Sequence, residues 1–354
     1  MNYSIDGFKF SDVRDEILLA AADNQMGFYE TTLGDLASAY DGTHVQGKEQ
    51  QYTLTPTGFD NLASRIGFPK AALAQLSSDL KMRVVREKIE DKADVPIKVA
   101  TSNDGIDAVF SAEYEPINNS QLSILLGTVL PEDAVVHRWA MGNDARRLDL
   151  RVVSPESWPA NLGNGRPDPG FGGLHITNDE LGRAALSVNL VVARVVCLNY
   201  VVSQQQVLRQ EHRWFSPTEF YAALTASIGN VPDYVEEVAA EMRGWHGVPV
   251  EDPVLTFSRV QEIAGVPQYA MDDAQEYWAG EGGEHNMFAL VQAVSHGLKG
   301  VSERGQPGPA WDRRNRIEAA ILDIGTQARE HHAEHDTDWA SECLACHQPL
   351  PENV

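Results

Sequence analysis

The spacing of apolar residues changes period twice along the chain. Over residues 11–94 it is helical. "SDVRDEILLAAADN" opens with Ser11 or Asp12 placed to cap a helix. In "TPTGFDNLASRIGFPKAALAQLSSDL", Thr55 precedes Pro56, a cap followed by a first-turn proline. Phe59, Leu62, Ala63 and Ile66 recur at helical spacing, Gly67 to Pro69 break the run, and a second helix is predicted through Leu80. The period then falls to two. "VPIKVATSNDGIDAVFSAEYEPI" alternates around Asn103, Asp104 and Gly105, which tolerate the positive φ of a tight turn, so a hairpin is predicted. "SQLSILLGTVLP" predicts a helix, and "DAVVHRWAMGNDARRLDLRVVS" two strands around Gly142, Asn143 and Asp144. "NLGNGRPDPGFGG" is a Gly/Pro-rich loop. "FGGLHIT" and the β-branched "AALSVNLVVARVVCLNYVVSQ" predict strands. From Ser216 the helical period returns, with Ser216 and Pro217 as cap and first turn and Glu219 close behind. "NVPDYVEEVAAEMRGWHG", "DPVLTFSRVQEIAGV", "NMFALVQAVSHGLKGVSE" and "RRNRIEAAILDIGTQAREHHAEH" all suit helices.

Segregated strands and helices predict an α+β fold, with a central, mostly antiparallel sheet flanked by N-terminal and C-terminal helical segments. The expected divisions are a mainly helical region at 1–94, a strand-rich core at 95–215, a helical region at 216–330 and a tail at 331–354.

Composition bounds the function. The 354 residues are 43% hydrophobic, enough for a sizeable core. With 28 Lys+Arg against 51 Asp+Glu the net charge is -23, which repels bulk polyanions, so any nucleic-acid surface must be a local basic patch. Such patches exist in the strand-rich centre. Residues 183–213 hold Arg183, Arg194, Arg209 and Arg213 against Glu211, whereas 214–288 hold thirteen acids against Arg243 and Arg259. No run approaches the roughly 20 apolar residues of a membrane span. The N-terminus lacks the basic and apolar regions of a signal peptide, so a cytoplasmic location without membrane contact is expected. The 3 Cys do not suggest a disulfide framework.

Few segments carry chemistry. No P-loop or nucleophile elbow is present, and Cys197 in "ARVVCLNYVV" reads as a core thiol. "HITNDEL" offers Asp179 and Glu180 as a carboxylate pair for a divalent metal, and equally reads as a turn between strands. The basic clusters are richer. Arg138, Trp139, Arg146, Arg147 and Arg151 lie on a predicted hairpin, and Arg209, Arg213 and Trp214 follow, with "KMRVVREK" and "WDRRNR" beyond. Arginine pairs with phosphates and aromatics stack on unpaired bases, so these residues are the candidate contacts to single-stranded DNA. In the tail, Cys343 and Cys346 form a Cys-x-x-Cys, and His331 or His332 with His335 supplies two more ligands one helical turn apart. The expected set is His331, His335, Cys343 and Cys346 around a structural zinc. "CLACH" also fits haem attachment, which an export signal would have to accompany.

The block "GGLHITNDELGRAALSVNLVVARVVCLNYVV" resembles one in the phage/plasmid-like family called domain of unknown function 932. That block has an Asn-Ser-Glu-x-Gly turn, a β-rich run and Arg-x-x-Cys-x-Asn-Gly. Asn178, Glu180 and Gly182, then Arg194, Cys197 and Asn199, occupy the matching positions. Asp179 and Tyr200 depart from it, standing where Ser and Gly are expected. "TPTGFDNLASRIGFPKAALAQL", "AVFSAEYEPINNSQLSILL" and "NMFALVQAVSHGL" are similar to other blocks, so the resemblance covers roughly residues 25–330. It implies a mobile-element setting near replication and recombination genes, and brings no catalytic residues. Taken with the basic centre, it predicts a non-enzymatic, homo-oligomeric protein that binds or anneals single-stranded DNA. The alternatives are an oligomeric interaction module without DNA activity and a metal-dependent hydrolase or nuclease using Asp179 and Glu180.

Overall fold

The structure, a computed structural model, describes residues 7–23, 26–46, 51–102, 105–142, 146–165, 167–194, 199–213, 216–281, 285–299, 301, 309–336 and 339–340. Strand β1 (Phe8–Lys9) leads into helix α1 (Phe10–Asp23). Strand β2 (Gly27–Thr32), helix α2 (Leu33–Ala39) and strands β3 (His44–Gln46) and β4 (Gln51–Leu54) follow. Thr55 then caps α3 (Pro56–Ile66) by accepting from the Gly58 amide at 3.1 Å. Gly67 ends that helix at φ 71°, a left-handed conformation that glycine adopts without strain. Helices α4 (Lys70–Ala74) and α5 (Ser78–Ile89) precede the predicted hairpin, formed by β5 (Pro96–Ser102) and β6 (Gly105–Ser111).

These strands make a five-stranded sheet in the order β2-β5-β6-β4-β3, with β4 parallel to β6 and the other pairs antiparallel. Leu36, Leu62, Ile66, Val85 and Ile89 from α2, α3 and α5 pack on Ile97, Val99 and Ile106. Each such buried side chain contributes about 1.5–3 kcal/mol. Among the described residues the 1–94 region thus holds four strands, β1 to β4, beside its helices. They span only two to six residues and are mostly exposed or half-buried, too short for a period of two to emerge from the sequence.

The second sheet starts after α6 (Asn119–Val129). It comprises β7 (Val135–Met141), β8 (Arg147–Val153), β9 (Pro159–Asn161), β10 (Pro169–Asp179), β11 (Leu186–Arg194) and β12 (Asn199–Gln210), joined by β1. The order is β1-β7-β8-β10-β11-β12, with β9 also on β10, and every pair is antiparallel. The long β-branched run folds as the hairpin of β11 and β12. Cys197 lies outside the described residues.

Helices α7 (Pro217–Gly229), α8 (Val231–Gly244), α9 (Pro253–Ala264), α10 (Gln268–Glu281), α11 (Met287–Gly297) and α12 (Pro309–His335) follow. Ser216 caps α7 through the Glu219 amide.

The two faces of the large sheet differ. One carries Leu148, Leu150, Val152, Leu174, Ile176, Val188 and Leu190, covered by α1, α6, α7 and α8 through Val13, Ile17, Leu122, Leu126, Phe220, Leu224 and Val235. The other is polar, and the first half of α12 lies against it. The second half of α12 packs with α8 to α11 in a separate apolar core around Met242, Trp245, Phe257, Leu290 and Ile321. The fold is α+β, with largely antiparallel sheets and helices towards both ends. Among the described residues no helix is long and apolar enough to cross a membrane.

Candidate nucleic-acid interface

A β-bulge decides which side chains of β7 reach the polar face. Val136 pairs with Val152, but the next β8 residue, Arg151, pairs with Arg138. His137 is therefore an extra residue in β7. One inserted residue reverses the facing of everything after it. Trp139 consequently pairs with Leu150 and packs on the apolar core, while Arg138 and Ala140 turn to the polar side. Directly paired residues share a face, so two polar rows cross the sheet. One runs Arg138, Arg151, His175, Asn189; the other runs Ala140, Asp149, Thr177, Ser187, Arg209. Arg147, two residues before Asp149, lies on the same side. The Thr177 and Ser187 hydroxyls are 2.7 Å apart, and Asn189 Nδ2 donates to Ser187 Oγ at 3.3 Å.

Helix α12 meets the first row. Arg151, 3% exposed, donates from Nη2 to Asn315 Oδ1 at 2.7 Å and to Glu318 Oε2 at 3.2 Å. Arg314 Nε donates to Glu318 Oε1 at 2.6 Å. His175 Nε2 and Asp149 Oδ1 are 3.1 Å apart, both residues buried. Burial opposes the charge of both acids, but His175, Arg151 and Arg138 hold Asp149 below the usual carboxylate range, and Arg151 and Arg314 do the same for Glu318. Cations dominate the β7 end. Burial, then Arg151, Arg138, Arg314 and Lys299, push His137 down to about 4. Burial, then Arg314 and Arg151, push Arg138 down to about 10.

The predicted contacts therefore separate. Arg138 and Arg147 are half-buried on the polar face, and Arg209 is exposed there, 3.7 Å from Glu211. Arg151 shares the face but is committed to Glu318. Arg146 departs from the expectation altogether: it is 5% exposed and pairs with Glu180 at 3.2 Å, so its charge serves the interior. Trp139 departs likewise, because the bulge turns its ring to the core. Arg213 is exposed but stands apart, bridged to Tyr114 near the smaller sheet. Trp214 lies outside the described residues.

Asp179 and Glu180 are fastened into a turn. Asp179 accepts from Leu181 N at 2.9 Å and Arg183 Nε at 2.7 Å, and is wholly buried. Glu180 Oε1 accepts from Asn119 N at 2.6 Å, placing a carboxylate at the positive end of α6. Asn178 donates to Ile117 O and Asn119 Oδ1 at 2.7 and 2.8 Å. Gly182 closes the turn at φ 67°. Burial pushes the Glu180 carboxyl up despite Arg146. Tyr114 donates to Glu180 O at 2.7 Å and stacks on Phe110, joining the smaller sheet to this turn.

In the tail, His331 and His335 lie one turn apart on α12 with ring centroids 5.0 Å apart. His331 Nδ1 and His332 Nδ1 are both buried with no hydrogen-bond partner among the described residues. Cys343 and Cys346 lie outside those residues, among which no three His, Cys, Asp or Glu side chains group as metal ligands. Nearby, His246, His285 and His332 line a cavity of about 480 Å³ with Asn164, Pro249 and Asn286.

Sequence reading passed over His137, Lys299, Asn315 and Glu318. A bulge leaves no trace in composition, and Glu318 is separated from Arg151 by most of the C-terminal half. The spacing of Arg314 and Glu318, four apart on a predicted helix, was the one available signal. No family model, curated protein or solved structure matches the chain.

Proposed function

We propose that this chain is a non-enzymatic single-stranded nucleic-acid-binding protein of a mobile genetic element, and that it holds a strand along the part of the polar face of its large sheet that α12 leaves open, the row of Ala140, Thr177, Ser187 and Arg209. The observation that carries this reading is that two basic segments distant in sequence share one sheet face: Arg138 and Arg147 on β7 and β8, and Arg209 on β12. Four interstrand spacings separate β7 from β12, about 19 Å. That is wide enough for a short stretch of strand to touch arginines at both sides. Serine, threonine and asparagine side chains between them offer hydrogen bonds to phosphate and sugar without reading sequence. The acidic body confines a polyanion to this face and disfavours duplex wrapping. The resemblance to the phage and plasmid family supplies the setting, and a homo-oligomer would extend the face from one copy to the next.

The tail is proposed to hold a structural zinc on His331, His335, Cys343 and Cys346, apart from the strand. Fluorescence anisotropy with a labelled oligothymidylate tests the main reading. Binding that weakens as salt rises, and weakens further in Arg138→Gln and Arg209→Gln, supports it. A folded protein that binds no oligonucleotide at low salt refutes it.

A further inference from the structure

We infer that strand β2 is the seam of a two-fold dimer, pairing antiparallel with β2 of a second copy so that the two smaller sheets become one. This stands apart from the nucleic-acid reading and does not rest on it. A sheet edge recruits another strand unless it is short, bulged, covered, or carries lysine or proline. Most edges here are guarded in one of these ways. Strand β1 has two residues, and β3 and β9 have three each. Strand β7 bulges at His137, where its pairing with β1 ends. Strand β12 is broken by two register shifts. Strand β2 has no such guard. It ends the smaller sheet, pairs with β5 through six consecutive residues without irregularity, and runs from Gly27 to Thr32 with no lysine or proline. Phe28 on it is 38% exposed. Among the described residues no strand pairs with its outer edge.

The pairing with β5 fixes which backbone groups point outwards. Leu33 N donates to Val95 O at 3.0 Å, so the residues that exchange hydrogen bonds with β5 alternate back from there as Thr31, Tyr29 and Gly27. Pro96, which has no N–H, stands opposite Thr32, at a position that needs none. Phe28 and Glu30 therefore turn their N–H and C=O groups outwards. The side chains divide as well. Tyr29 packs on the helix-covered core, while Phe28 and Glu30 share the other face with Ala100 and Lys98. Registers that keep like faces together and oppose the outward groups differ by two residues. One sets Glu30 directly opposite its own copy, which is destabilising. Another sets Phe28 opposite its own copy and leaves Glu30 to Thr32 unpaired within β2. Pairing Phe28 with the second copy's Glu30 avoids both faults. Tyr29 then meets Tyr29 on the two-fold axis, at a non-hydrogen-bonded position where side chains are closest. Every outward N–H and C=O of Phe28 and Glu30 is bonded, and each Glu30 lies between Lys98 of its own sheet and Phe28 of the other. Such self-complementarity is what a two-fold interface requires.

Sedimentation of the whole chain tests this. The wild type is expected to form a dimer that tightens as salt rises, because two copies of net charge -23 repel until salt screens them. Glu30→Pro removes an outward N–H that makes no bond to β5, so the sheet should persist while dimerisation weakens about tenfold or more, the ratio that two neutral hydrogen bonds supply. Glu30→Lys, which reverses one exposed charge beside Lys98, should weaken the dimer as well. Under mild oxidation Tyr29→Cys should cross-link two copies beyond the wild-type background, and Thr31→Cys should not. A wild-type chain that stays monomeric overturns the inference and leaves the edge to a strand of another protein. A dimer that neither Glu30 variant weakens overturns it too, as does one that Thr31→Cys cross-links and Tyr29→Cys does not. Each of these outcomes leaves the reading of the polar face standing.

Discussion

Replacing Glu318 with glutamine removes the carboxylate that accepts from both Arg151 and Arg314, at 3.2 and 2.6 Å. Glu318 is 1% exposed and Arg151 3%, so neither water nor salt can replace it without opening the seam between α12 and the sheet. Breaking a buried ion pair by neutralising one partner costs about 3–5 kcal/mol, because the remaining charge stays buried. Glutamine keeps one oxygen as an acceptor, so the expected loss is near the lower end, about 3 kcal/mol. Urea unfolding at neutral pH measures it as a shift in midpoint at constant slope. The triple replacement Arg151→Met, Arg314→Leu, Glu318→Leu removes all three charges and should lie much closer to wild type. If Glu318→Gln loses less than about 1 kcal/mol, a value ordinary for an exposed pair, the buried network described between α12 and β8 is wrong.

His137 and His212 both have folded-state values below their ordinary one, His212 chiefly through burial and His137 through burial and four cations. The unfolded chain therefore takes up these protons first. Stability should be full above about pH 6.5 and fall as pH drops below it, down to about pH 4 for His137, by up to about 1.4 kcal/mol per pH unit for each group and by less for the half-buried His137. His212→Gln should flatten that slope; a urea midpoint unchanged between pH 7 and 5 contradicts the assignment. Asp179→Asn should destabilise by about 1–3 kcal/mol, because the amide keeps one acceptor for Leu181 N but turns an NH2 donor on Arg183. A normally stable Asp179→Asn protein that selectively loses a metal-dependent nuclease activity would favour the hydrolase alternative. Elemental analysis should find one zinc per chain, lost in Cys343→Ser; a wild-type protein purified without chelators and free of zinc removes the tail proposal.

Local signals were legible where one short segment determines its own geometry. The cap by Thr55, the hairpin at residues 96–111 and the pair of strands holding Arg138 and Arg151 could each be read from neighbouring residues, and so could the α+β class. What the strands do with their side chains could not. A strict alternation from Val136 puts Arg138 on the core side and Trp139 on the outer side, and the bulge at His137 reverses both. Nor does a cluster of arginines reveal which of them are already paired. Arg146 and Arg147 are adjacent, yet one is buried on Glu180 and the other is half-buried on the polar face, because their partners come from distant turns and strands. The same applies to Asp179 and Glu180, whose bonds to Arg183 and the α6 amide turn a metal-like pair into a structural turn.

The central claim is that the polar face of the large sheet takes a single strand. Its most direct test is the salt dependence of oligothymidylate binding by anisotropy, for wild type and for the Arg138→Gln, Arg209→Gln double variant. The account predicts a logarithmic slope that becomes shallower by about 1.4 in the double variant, from two phosphate contacts at about 0.7 each for single strands. An unchanged slope, or no binding by the folded wild-type protein at about 50 mM salt, contradicts it.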